Sequence, residues 1–539
     1  MGYGYTDLLP EPVVEAEQES SAIKVSKKGI RLAVSVCRAR SLALKGIDAE
    51  PVEVEVDVSS GLPGFSIVGL PDAAVQEARE RVRVAVTNSG FKFPTKKVVV
   101  NLAPANLRKA GAAFDLPIAL GILAASGVIP PEKLAGFAVC GELSLDGGLR
   151  PVRGALSMAE GARSAGMGAM LMPERNAAEA ASGGTPVYGI ESLTRAVEFL
   201  RGEIEVEVTE SEPYDCGPEK DEPCGTPDFS DVAGQAYAKR ALEVAAAGGH
   251  NVLLSGPPGS GKTMLASRLP GILPPLTLPE SIEVTKVYSA AGLSPGEGLI
   301  RRRPFRAPHH TISTSGLSGG GSNPRPGEVS LAHNGVLFLD EFPEFGRGTL
   351  EVLRQPLEDG VVRIARVAAT TSYPARVMLV CSMNPCPCGY AGDAKKRCRC
   401  TAGQIERYQA RVSGPLLDRL DLFVDVPRPR REELRGDSPG ESSAGIRGRV
   451  LGARQLQQKR QGGPNSALFG RDLRRECRLG DEAEALLAGA IDRMNLSGRS
   501  HDRVLRVART VADLAGSEGI SVEHLAESLS YRRSHLVAV

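Results

Sequence analysis

The chain has 539 residues, 42% of them apolar, and this length exceeds what one hydrophobic core usually serves, so two to four domains are expected. Its 65 basic and 64 acidic residues nearly cancel, which excludes an argument from net charge for a nucleic-acid partner and leaves only local surfaces. Aromatic residues make up 4% and tryptophan is absent, which argues against recognition by extensive base stacking. The sequence has neither a membrane-length apolar run nor a signal-like start, so we expect a cytoplasmic protein with no membrane partner.

Composition and periodicity divide the chain into five segments. A polar and charged lead-in is predicted to be disordered, and an acidic, proline-bearing stretch is predicted to be a linker. Two blocks alternate strand-like and helix-like runs, for example a strand at 52–58 and a helix at 72–89, and each predicts an α/β domain. The last segment passes from a charged, turn-rich stretch into helical periodicity. The predicted boundaries are 1–28 for the lead-in, 29–202 for the first α/β domain, 203–227 for the linker, 228–430 for the second α/β domain and 431–539 for the terminal linker and helical domain.

A glycine-rich turn in the second α/β block follows an apolar run, in the sequence NVLLSGPPGSGKT that begins at Asn251. The turn matches the G-x-x-x-x-G-K-[ST] pattern of phosphate-binding loops at every fixed position. Its glycines lack the Cβ that would stop the backbone from curling around an anion, so successive N–H groups can point at the phosphates of ATP. The lysine supplies a point charge and the threonine a hydroxyl for Mg²⁺, whereas a strand-to-helix turn that is merely rich in glycine is the alternative. The predicted ATP-binding residues are Gly256, Pro257, Pro258, Gly259, Ser260, Gly261, Lys262 and Thr263.

Two further strand-like runs end in polar side chains. The run VLFL from Val336 ends in Asp340 and Glu341, the pattern of a buried parallel strand that delivers acids to its carboxyl end. In an ATP site Asp340 would hold Mg²⁺ through water and Glu341 would act as general base, although an Asp-Glu pair is also a common surface ending. The run from Arg376 ends at Asn384, whose amide is predicted to orient the attacking water and to sense the γ-phosphate. A turn-forming asparagine before proline is the alternative.

Two arginines outside the phosphate loop are candidates for phosphate contacts. Arg419 stands at the end of a helical segment before an apolar strand, where in a ring it would reach the γ-phosphate bound by the neighbouring subunit. The alternative is a surface salt bridge with Asp418 or Asp421. Arg499 begins a helix on which arginines recur at helical spacing, and it is the candidate for a phosphate contact within its own subunit. Such a basic stripe is otherwise a solvated face.

Four of the ten cysteines are bunched in two C-x-C pairs, Cys386 with Cys388 and Cys398 with Cys400. In a cytosolic ATPase such a bunch favours metal ligation over disulfides. Four thiolates suit a tetrahedral structural Zn²⁺ site, and the basic run at 395–397 would offset its negative charge. A redox cluster and free thiols are the alternatives. Catalytic zinc is not expected, because no histidine or open position belongs to the group.

Three stretches together resemble one protein family, namely GLPGFSIVGLP at 61–71, RPFRAPHH at 303–310 and NPCPCG at 384–389. With the phosphate loop and the acid pair, they resemble the ComM/YifB subfamily of magnesium-chelatase-like AAA+ ATPases. The resemblance implies an α/β fold, with an AAA+ P-loop ATPase core, an amino-terminal Lon-protease-like α/β domain and a carboxy-terminal helical lid domain. It also implies a homo-oligomer, expected to be a hexamer, that moves along single-stranded and branched DNA and promotes branch migration during homologous recombination and natural transformation.

The resemblance assigns two stretches of the core to DNA. The segment EDGVVRIARVAATT at 358–371 is similar to the pore hairpin of minichromosome maintenance helicases, so Arg363 and Arg366 are predicted to contact DNA phosphates. A basic hairpin that only protects a strand edge is the alternative. The glycine- and serine-rich segment 311–328 is similar to the insertion in the second AAA+ helix that acts as a moving pore loop. An unstructured surface loop is its alternative.

Residues 30–201 resemble the catalytic domain of Lon proteases, most clearly in GELSLDGGLRPV from Gly141. A protease of that type needs a serine activated by a lysine. Where the motif would supply the nucleophile, GAAFDL from Gly111, the chain offers only Asp115 as a polar group, and the lysine position falls near Leu156. We therefore expect a non-proteolytic scaffold or DNA-facing platform. A chelatase-type ATPase subunit is the first alternative function of the whole chain, and an ATP-dependent protease is the second.

Overall fold

The computed structural model describes residues 36–214, 227–296, 298–321, 324–365, 370–393, 395–429, 433, 440–494 and 496–532. The predicted lead-in 1–28 and Arg366 lie outside these residues, as does much of the predicted linker 203–227. Within the described part of that linker, two residues form a strand that pairs with the preceding sheet. The first part of the predicted linker is therefore part of the folded amino-terminal sheet.

The amino-terminal region contains ten strands and six α-helices among its described residues. In chain order they are β1 (Cys37–Lys45), β2 (Asp48–Ser59), β3 (Gly64–Val68), α1 (Ala73–Asn88), β4 (Lys97–Ala103), α2 (Asp115–Ala125), α3 (Pro131–Ala135), β5 (Phe137–Val139), β6 (Glu142–Leu143), β7 (Leu149–Arg150), α4 (Ala155–Ser164), β8 (Ala169–Pro173), α5 (Glu174–Ala181), β9 (Val187–Ile190), α6 (Leu193–Arg201) and β10 (Val208–Thr209). Eight of these strands form one mixed sheet in the order β10-β9-β8-β5-β1-β2-β4-β3. The sequence predictions of a strand at 52–58 and a helix at 72–89 are confirmed.

Local sequence explains the elements of this sheet. In β2 the buried valines alternate with exposed or half-buried acids, the period of a strand with one face on a core. Helix α1 begins where the Asp72 side chain accepts a hydrogen bond from the N–H of Val75 at 2.9 Å. Helix α2 is apolar nearly all round and buried along its length, so it lies at the centre of the domain core.

The central region carries the second sheet. Its elements are α7 (Ala236–Gly248), β11 (Val252–Ser255), α8 (Lys262–Arg268), α9 (Leu278–Ala291), β12 (Phe305–Arg306), α10 (Thr314–Ser318), β13 (Gly319–Gly320), β14 (Arg325–Pro326), α11 (Glu328–Leu331), β15 (Val336–Leu339), α12 (Arg347–Glu351), α13 (Arg354–Asp359), β16 (Val361–Ala365), β17 (Thr370–Pro374), β18 (Met378–Met383), α14 (Ala402–Gln409), α15 (Gly414–Leu417) and β19 (Leu422–Asp425). Within the described residues, five of these strands form an all-parallel sheet in the order β12-β15-β18-β11-β19. Strands β11, β15 and β18 are buried at every position, as expected for a parallel sheet covered on both faces.

The carboxy-terminal region is helical in its described part, with α16 (Ser443–Gln461), α17 (Gly470–Glu476), α18 (Asp481–Met494), α19 (Gly498–Leu514) and α20 (Val522–Ser530). Helix α19 is amphipathic, and its Val507 and Val511 join the core that covers the parallel sheet. The other face of α19 packs on α17, α18 and α20. The helical region is thus attached through apolar packing to the sheet that carries the phosphate loop.

The amino-terminal region contacts the central region at several places in the described part of the chain. The Lys286 ammonium of α9 lies 2.7 Å from Asp48 and 3.0 Å from Glu160 across the boundary. The tight turn between β1 and β2 lies against the β16–β17 hairpin, where a Cβ on Gly46 would be 3.0 Å from Thr371 Cγ2. Two regions that the sequence separates by a linker are therefore in direct contact. No helix in the described part of the chain is both long and apolar enough to cross a membrane.

Candidate nucleotide site

The predicted phosphate loop, acid pair and amide come together at the carboxyl edge of the parallel sheet. Strand β18 lies between β11 and β15, so the residues after β18 sit between the phosphate loop and the acids. The carboxyl edge of a parallel sheet is where ligands bind in open α/β folds. A cleft of about 380 Å³ results, a volume suited to a small ligand. Its lining residues are Pro258, Gly259, Ser260, Gly261, Lys262, Thr263, Met264, Asp340, Glu341, Ser382, Met383 and Asn384.

The phosphate loop has the backbone that its glycines were predicted to allow. Gly259 and Gly261 adopt φ angles of 76° and 91°, which residues with a Cβ rarely adopt. At Gly256 a Cβ would lie 2.1 Å from the carbonyl oxygen of Val426, so no larger residue fits between β11 and the end of β19. Helix α8 begins at Lys262, which turns the free N–H groups of its first turn toward the cleft.

The acid pair joins the phosphate loop through hydrogen bonds of Asp340. Its Oδ2 accepts a hydrogen bond from the Thr263 hydroxyl at 2.8 Å, and its Oδ1 accepts from the Ser382 hydroxyl and, at 3.0 Å, from the N–H of Glu341. Three segments far apart in sequence therefore converge on one carboxylate. The sequence did not single out Ser382, because a serine inside an apolar strand carries no signal by itself.

The Glu341 carboxylate is 56% exposed and faces a histidine instead of the loop. His310 Nδ1 lies 3.3 Å from Glu341 Oε2, and the His309 and His310 rings are 4.1 Å apart. Glu341 has a φ of 52°, a left-handed conformation that is uncommon outside glycine and clusters at functional sites. His310 belongs to the RPFRAPHH stretch, which the sequence marked as distinctive without giving the histidine a role.

The Lys262 ammonium is buried beneath the loop and has three oxygen acceptors. It donates to the carbonyls of Gly256 at 2.6 Å and Pro257 at 3.1 Å, and to Asn384 Oδ1 at 3.3 Å. Burial lowers the pKa of Lys262 to about 8, while the nearby Asp340 carboxylate acts in the opposite direction. Asn384 is thereby linked to the phosphate loop by a direct contact.

Comparison with known proteins gives this cleft a family. Family models of the ChlI subunit of magnesium chelatase match the chain in three parts: the model described as Magnesium chelatase, subunit ChlI, at 228–434, Subunit ChlI of Mg-chelatase at 54–176, and the subunit ChlI C-terminal model at 440–532. The protein YifB of Escherichia coli strain K12 is 45% identical over 492 residues, which cover 91% of this chain and 96% of YifB. Competence protein ComM of Haemophilus influenzae is 45% identical over 500 residues, 91% of this chain and 96% of ComM. The chain belongs to the ComM/YifB subfamily of magnesium-chelatase-like AAA+ ATPases.

A more distant similarity extends to the DNA replication licensing factor mcm6 of Dictyostelium discoideum. It amounts to 25% identity over 308 residues, 56% of this chain and 30% of that protein. The ComM/YifB resemblance seen in the sequence is confirmed, and with it the α/β fold class.

Membership of the AAA+ ATPases implies ATP and Mg²⁺ as ligands, and the donor set of the cleft fits both. The loop offers convergent N–H groups and a buried ammonium for phosphate oxygens. The adjoining hydroxyl of Thr263 and carboxylate of Asp340, 2.8 Å apart, are the hard oxygen ligands that Mg²⁺ prefers.

The cysteine cluster of this ComM/YifB-type chain lies against the phosphate loop. The Sγ atoms of Cys386, Cys388, Cys398 and Cys400 all lie within 4.8 Å of one another. Sulfur–sulfur distances of 3.4, 3.6 and 3.7 Å among the first three are close to the edge of about 3.8 Å of a tetrahedron with Zn–S bonds of about 2.3 Å. The thiols therefore fit the predicted zinc, which itself stays a prediction. At Gly389, inside the cluster, a Cβ would lie 2.6 Å from Pro258 Cδ.

Arg419 lies in a second cleft, apart from the cleft that the phosphate loop lines. Its side chain is 8% exposed, and its guanidinium donates to the Pro415 carbonyl and to the Glu358 carboxylate. The ion-pair partner is thus Glu358, not Asp418 or Asp421, the two acids that the sequence offered for a surface salt bridge. The contact of Arg419 with a neighbouring subunit stays a prediction.

Arg499 is exposed in the first turn of α19 and is not among the residues that line the nucleotide cleft. The arginines that follow it do not form the solvated stripe that their spacing suggested. Arg503 is buried with its Nε 3.5 Å from Asp421, and Arg506 donates to the carbonyl of Ser466 at 2.8 Å. Burial would raise the pKa of Asp421, but hydrogen bonding to His250 and the nearby guanidinium groups hold that pKa at about 2. These arginines fasten the helical region to the core.

The two segments assigned to DNA are more regular than loops. Strands β16 and β17 form a hairpin, on which Arg363 is exposed and pairs with Asp359 at 2.8 Å. Arg366, the second predicted DNA contact, lies outside the described residues. The 311–328 segment forms α10 and the β13–β14 ladder, so its described part has regular structure.

The Lon-like region holds no exposed catalytic pair at the positions considered from sequence. Asp115 is fully buried, and both of its carboxylate oxygens accept hydrogen bonds from Arg81, at 2.9 and 3.1 Å. Leu156 is fully buried. Nearby, the N–H of Gly154 donates to the Ser289 hydroxyl of α9 at 2.9 Å, so the central region covers this stretch. The role of this region as a non-proteolytic scaffold or DNA-facing platform stays a prediction.

Proposed function

We propose that this protein is an ATP-driven motor on DNA that assembles as a homo-oligomeric ring and promotes branch migration during homologous recombination and natural transformation. The family resemblance favours a ring of six subunits. The observation that carries the proposal is the cleft in which phosphate loop, acid pair and Asn384 converge in a chain 45% identical to a competence protein. The similarity to a DNA replication licensing factor supports DNA as the substrate.

The chemical step follows from the positions of the cleft residues. The N–H groups of the phosphate loop and Lys262 would bind the β- and γ-phosphates, and Thr263 and Asp340 would hold Mg²⁺. When bound, Mg²⁺ neutralises charge on the phosphate oxygens. Glu341 accepts the proton of the water that attacks the γ-phosphorus, and ADP leaves. Its carboxylate is exposed and faces His310, which suits a base that is not tied to the phosphates.

Arg419 completes the site of the neighbouring subunit in this proposal. It does not line the cleft of its own subunit, which supports a contact across a subunit boundary. An arginine supplied in this way accelerates phosphoryl transfer by about 10³ to 10⁵. Arg499, exposed in the first turn of α19, is the candidate for a further phosphate contact within its own subunit, made when the helical region folds over the nucleotide.

DNA contacts come from the β16–β17 hairpin. Arg363 is exposed there, and its pairing with Asp359 is a surface ion pair that a phosphate can replace. Arg363 and Arg366 would bind the backbone of single-stranded or branched DNA without reading its sequence, so binding would weaken as salt rises. The four clustered cysteines would hold a structural Zn²⁺ beside the phosphate loop.

A three-stranded branch-migration assay tests the proposal. Wild-type protein is compared with Lys262→Ala, which removes the phosphate-binding charge, and with Glu341→Gln, which removes the base but keeps the side-chain shape. We expect migration by the wild type with ATP and none by either variant. Equal migration by all three, or ATP hydrolysis by the wild type without migration, would contradict the motor.

A chelatase-type ATPase subunit is the second candidate, because the ChlI model matches the core at 228–434. The two functions differ in their dependence on DNA. A motor on DNA hydrolyses ATP faster when DNA is added, whereas a chelatase subunit needs a partner subunit and not DNA. A protease is disfavoured by the buried and paired state of Asp115.

A further inference from the structure

Two adjacent acids connect the second cleft to the DNA hairpin. Glu358 and Asp359 are the last residues of α13, and we call them the acid step. Glu358 receives the Arg419 guanidinium, while Asp359 receives Arg363 of β16 at 2.8 Å. One short backbone segment thus contacts the arginine proposed to act on the neighbouring subunit and the arginine proposed to bind DNA.

The Arg419 guanidinium is paired within its own chain, but not all of its N–H groups have acceptors. The Arg419 side chain is only 8% exposed. Its buried Nε has no hydrogen-bond partner among the described residues. It lines a cleft of about 600 Å³ between α12–α13 and β16, which has room for an incoming oxyanion. A buried N–H without an acceptor is costly, so this guanidinium is ready to accept a further anionic partner.

The ion pair between Arg363 and Asp359 is weak in comparison with the buried pair of Arg419 and Glu358. Both members of the Asp359–Arg363 pair are well exposed, at 40% and 53%. Exposed pairs of this kind contribute little and are screened by salt, so a DNA phosphate readily replaces Asp359. Gly360, with a φ of 67°, is the single residue between the end of α13 at Asp359 and the start of β16 at Val361, so the joint between them is short. A shift of β16 therefore reaches Glu358 directly.

We propose that Glu358 is a positioning residue for Arg419, which it holds inside the subunit until DNA draws Arg363 away from Asp359. Loss of the Asp359 pair then lets the acid step move, and Arg419 exchanges Glu358 for the γ-phosphate bound by the neighbouring subunit. The inference rests on the proposed function, because it assumes that Arg419 acts across the subunit boundary. It adds the residue that makes hydrolysis depend on DNA.

The test is steady-state ATP hydrolysis by the full-length protein, with and without a single-stranded oligonucleotide, at several protein concentrations. Glu358→Gln keeps the size of the side chain but removes its charge. We expect its DNA-free kcat to rise about three- to tenfold toward the DNA-stimulated value, with little change in KM for ATP. The reason is that a charge-assisted hydrogen bond no longer holds Arg419 inside its own subunit. Glu358→Asp, which keeps the charge, should restore part of the low DNA-free rate.

Glu351→Gln is the matched control. Glu351 lines the same cleft but pairs with Arg354 at 3.0 Å instead of Arg419, so its DNA-free rate should equal that of the wild type. The double variant Glu358→Gln with Arg419→Ala should be as slow as Arg419→Ala alone, because Glu358 acts only through that arginine. Asp359→Asn breaks the other half of the acid step and should raise the DNA-free rate by a smaller factor.

Three results would overturn the inference. Glu358→Gln that lowers kcat with and without DNA would mean that Glu358 orients Arg419 productively. Unchanged stimulation of ATP hydrolysis by DNA in Glu358→Gln and Asp359→Asn would mean that the acid step does not couple DNA binding to Arg419. A wild-type rate that does not respond to DNA would contradict the proposed motor and the DNA arm of the inference, and the DNA-free rate of Glu358→Gln would still decide whether Glu358 restrains Arg419.

Discussion

The nucleotide cleft and the Asp115 site of the Lon-like region contain similar residues in opposite states. Each has a carboxylate and a cation beside a glycine-bearing turn at the start of a helix. Asp115 is fully buried, and Arg81 occupies both of its oxygens. Glu341 is 56% exposed, and His310 is the one ion-pair partner that it has within the described residues.

The two buried lysines repeat the contrast. Burial lowers the pKa of both Lys262 and Lys109. Lys109 donates to the Pro104 carbonyl and is enclosed by the chain around Leu70, whereas Lys262 opens onto the cleft. A buried polar group with its partners satisfied stabilises a fold, and a group that borders open space with exchangeable partners is available to a ligand.

Replacing Glu341 breaks the cleft where the expected effect is largest. Glu341→Gln keeps the shape but removes the base, so we expect kcat for ATP to fall by about 10² to 10⁴ while ATP still binds. Thermal unfolding should be unchanged, since the carboxylate is exposed. Single-turnover hydrolysis and nucleotide binding measured on the same sample check both parts. A fall of less than tenfold would remove Glu341 from the role of base.

Replacing Asp115 should have the reverse outcome. Asp115→Ala leaves the Arg81 guanidinium partly buried without its carboxylate, and we expect a loss of about 3 kcal/mol in the free energy of unfolding. The estimate is at the low end for buried pairs because the Arg81 side chain remains 23% exposed. Urea unfolding followed by circular dichroism measures the loss. The ATPase kcat of the folded fraction should stay within about twofold of the wild type, since Asp115 does not line the cleft.

Local pattern was sufficient to predict most of the residues that line the nucleotide cleft, although it missed Met264, Ser382 and Met383. Phosphate loops and acid-tipped strands have fixed spacings, and parallel strands bring their carboxyl ends to one edge. Lys262, Asp340 and Asn384 could therefore be placed together before any coordinates. The order β15-β18-β11, which puts Asn384 between the other two, is a tertiary fact that spacing does not contain.

Ion-pair partners that lie far apart along the chain could not be predicted from the sequence. Glu358 lies 61 residues before Arg419, whereas Asp418 and Asp421 lie beside it. The surface salt bridge considered as the alternative for Arg419 therefore named only its neighbours and missed Glu358. Arg503 looked solvated for the same reason, because its partner Asp421 is in another region of the chain. His310 had a visible motif but no role until folding brought it to Glu341.

The pH dependence of ATP binding sharpens the contrast between the two lysines. The pKa of Lys262 is about 8, so its amine is charged below pH 8, and apparent affinity should not vary there. Above pH 8 the amine is neutral and must take up a proton as the triphosphate binds, so affinity should fall by up to about tenfold per pH unit. Titrations with ATP between about pH 7 and about pH 9.5, which bracket the pKa of Lys262, measure this slope.

Lys262→Arg is the control for that titration. Its guanidinium stays charged across the range, so the slope should vanish even if affinity is lower at every pH. Lys109→Met should keep the wild-type slope, because Lys109 lies outside the cleft. A slope that persists in Lys262→Arg would assign the titration to another group.

Loosening the cysteine cluster should give the smallest effect, because the cluster supports the phosphate loop from outside. Gly389 packs against Pro258, so loss of a thiol ligand would let that side of the loop relax. For Cys398→Ser we expect loss of bound zinc and a rise of about threefold in KM for ATP, less than 1 kcal/mol, with kcat nearly unchanged. Elemental analysis and steady-state kinetics measure the two quantities. Cys37→Ala, a buried thiol in the Lon-like region, is the control and should keep both metal content and KM. Wild-type protein that carries no zinc, or a Cys398→Ser variant that loses kcat instead of affinity, would contradict this picture, since a support acting through Pro258 affects how the triphosphate is held and not how Glu341 activates water.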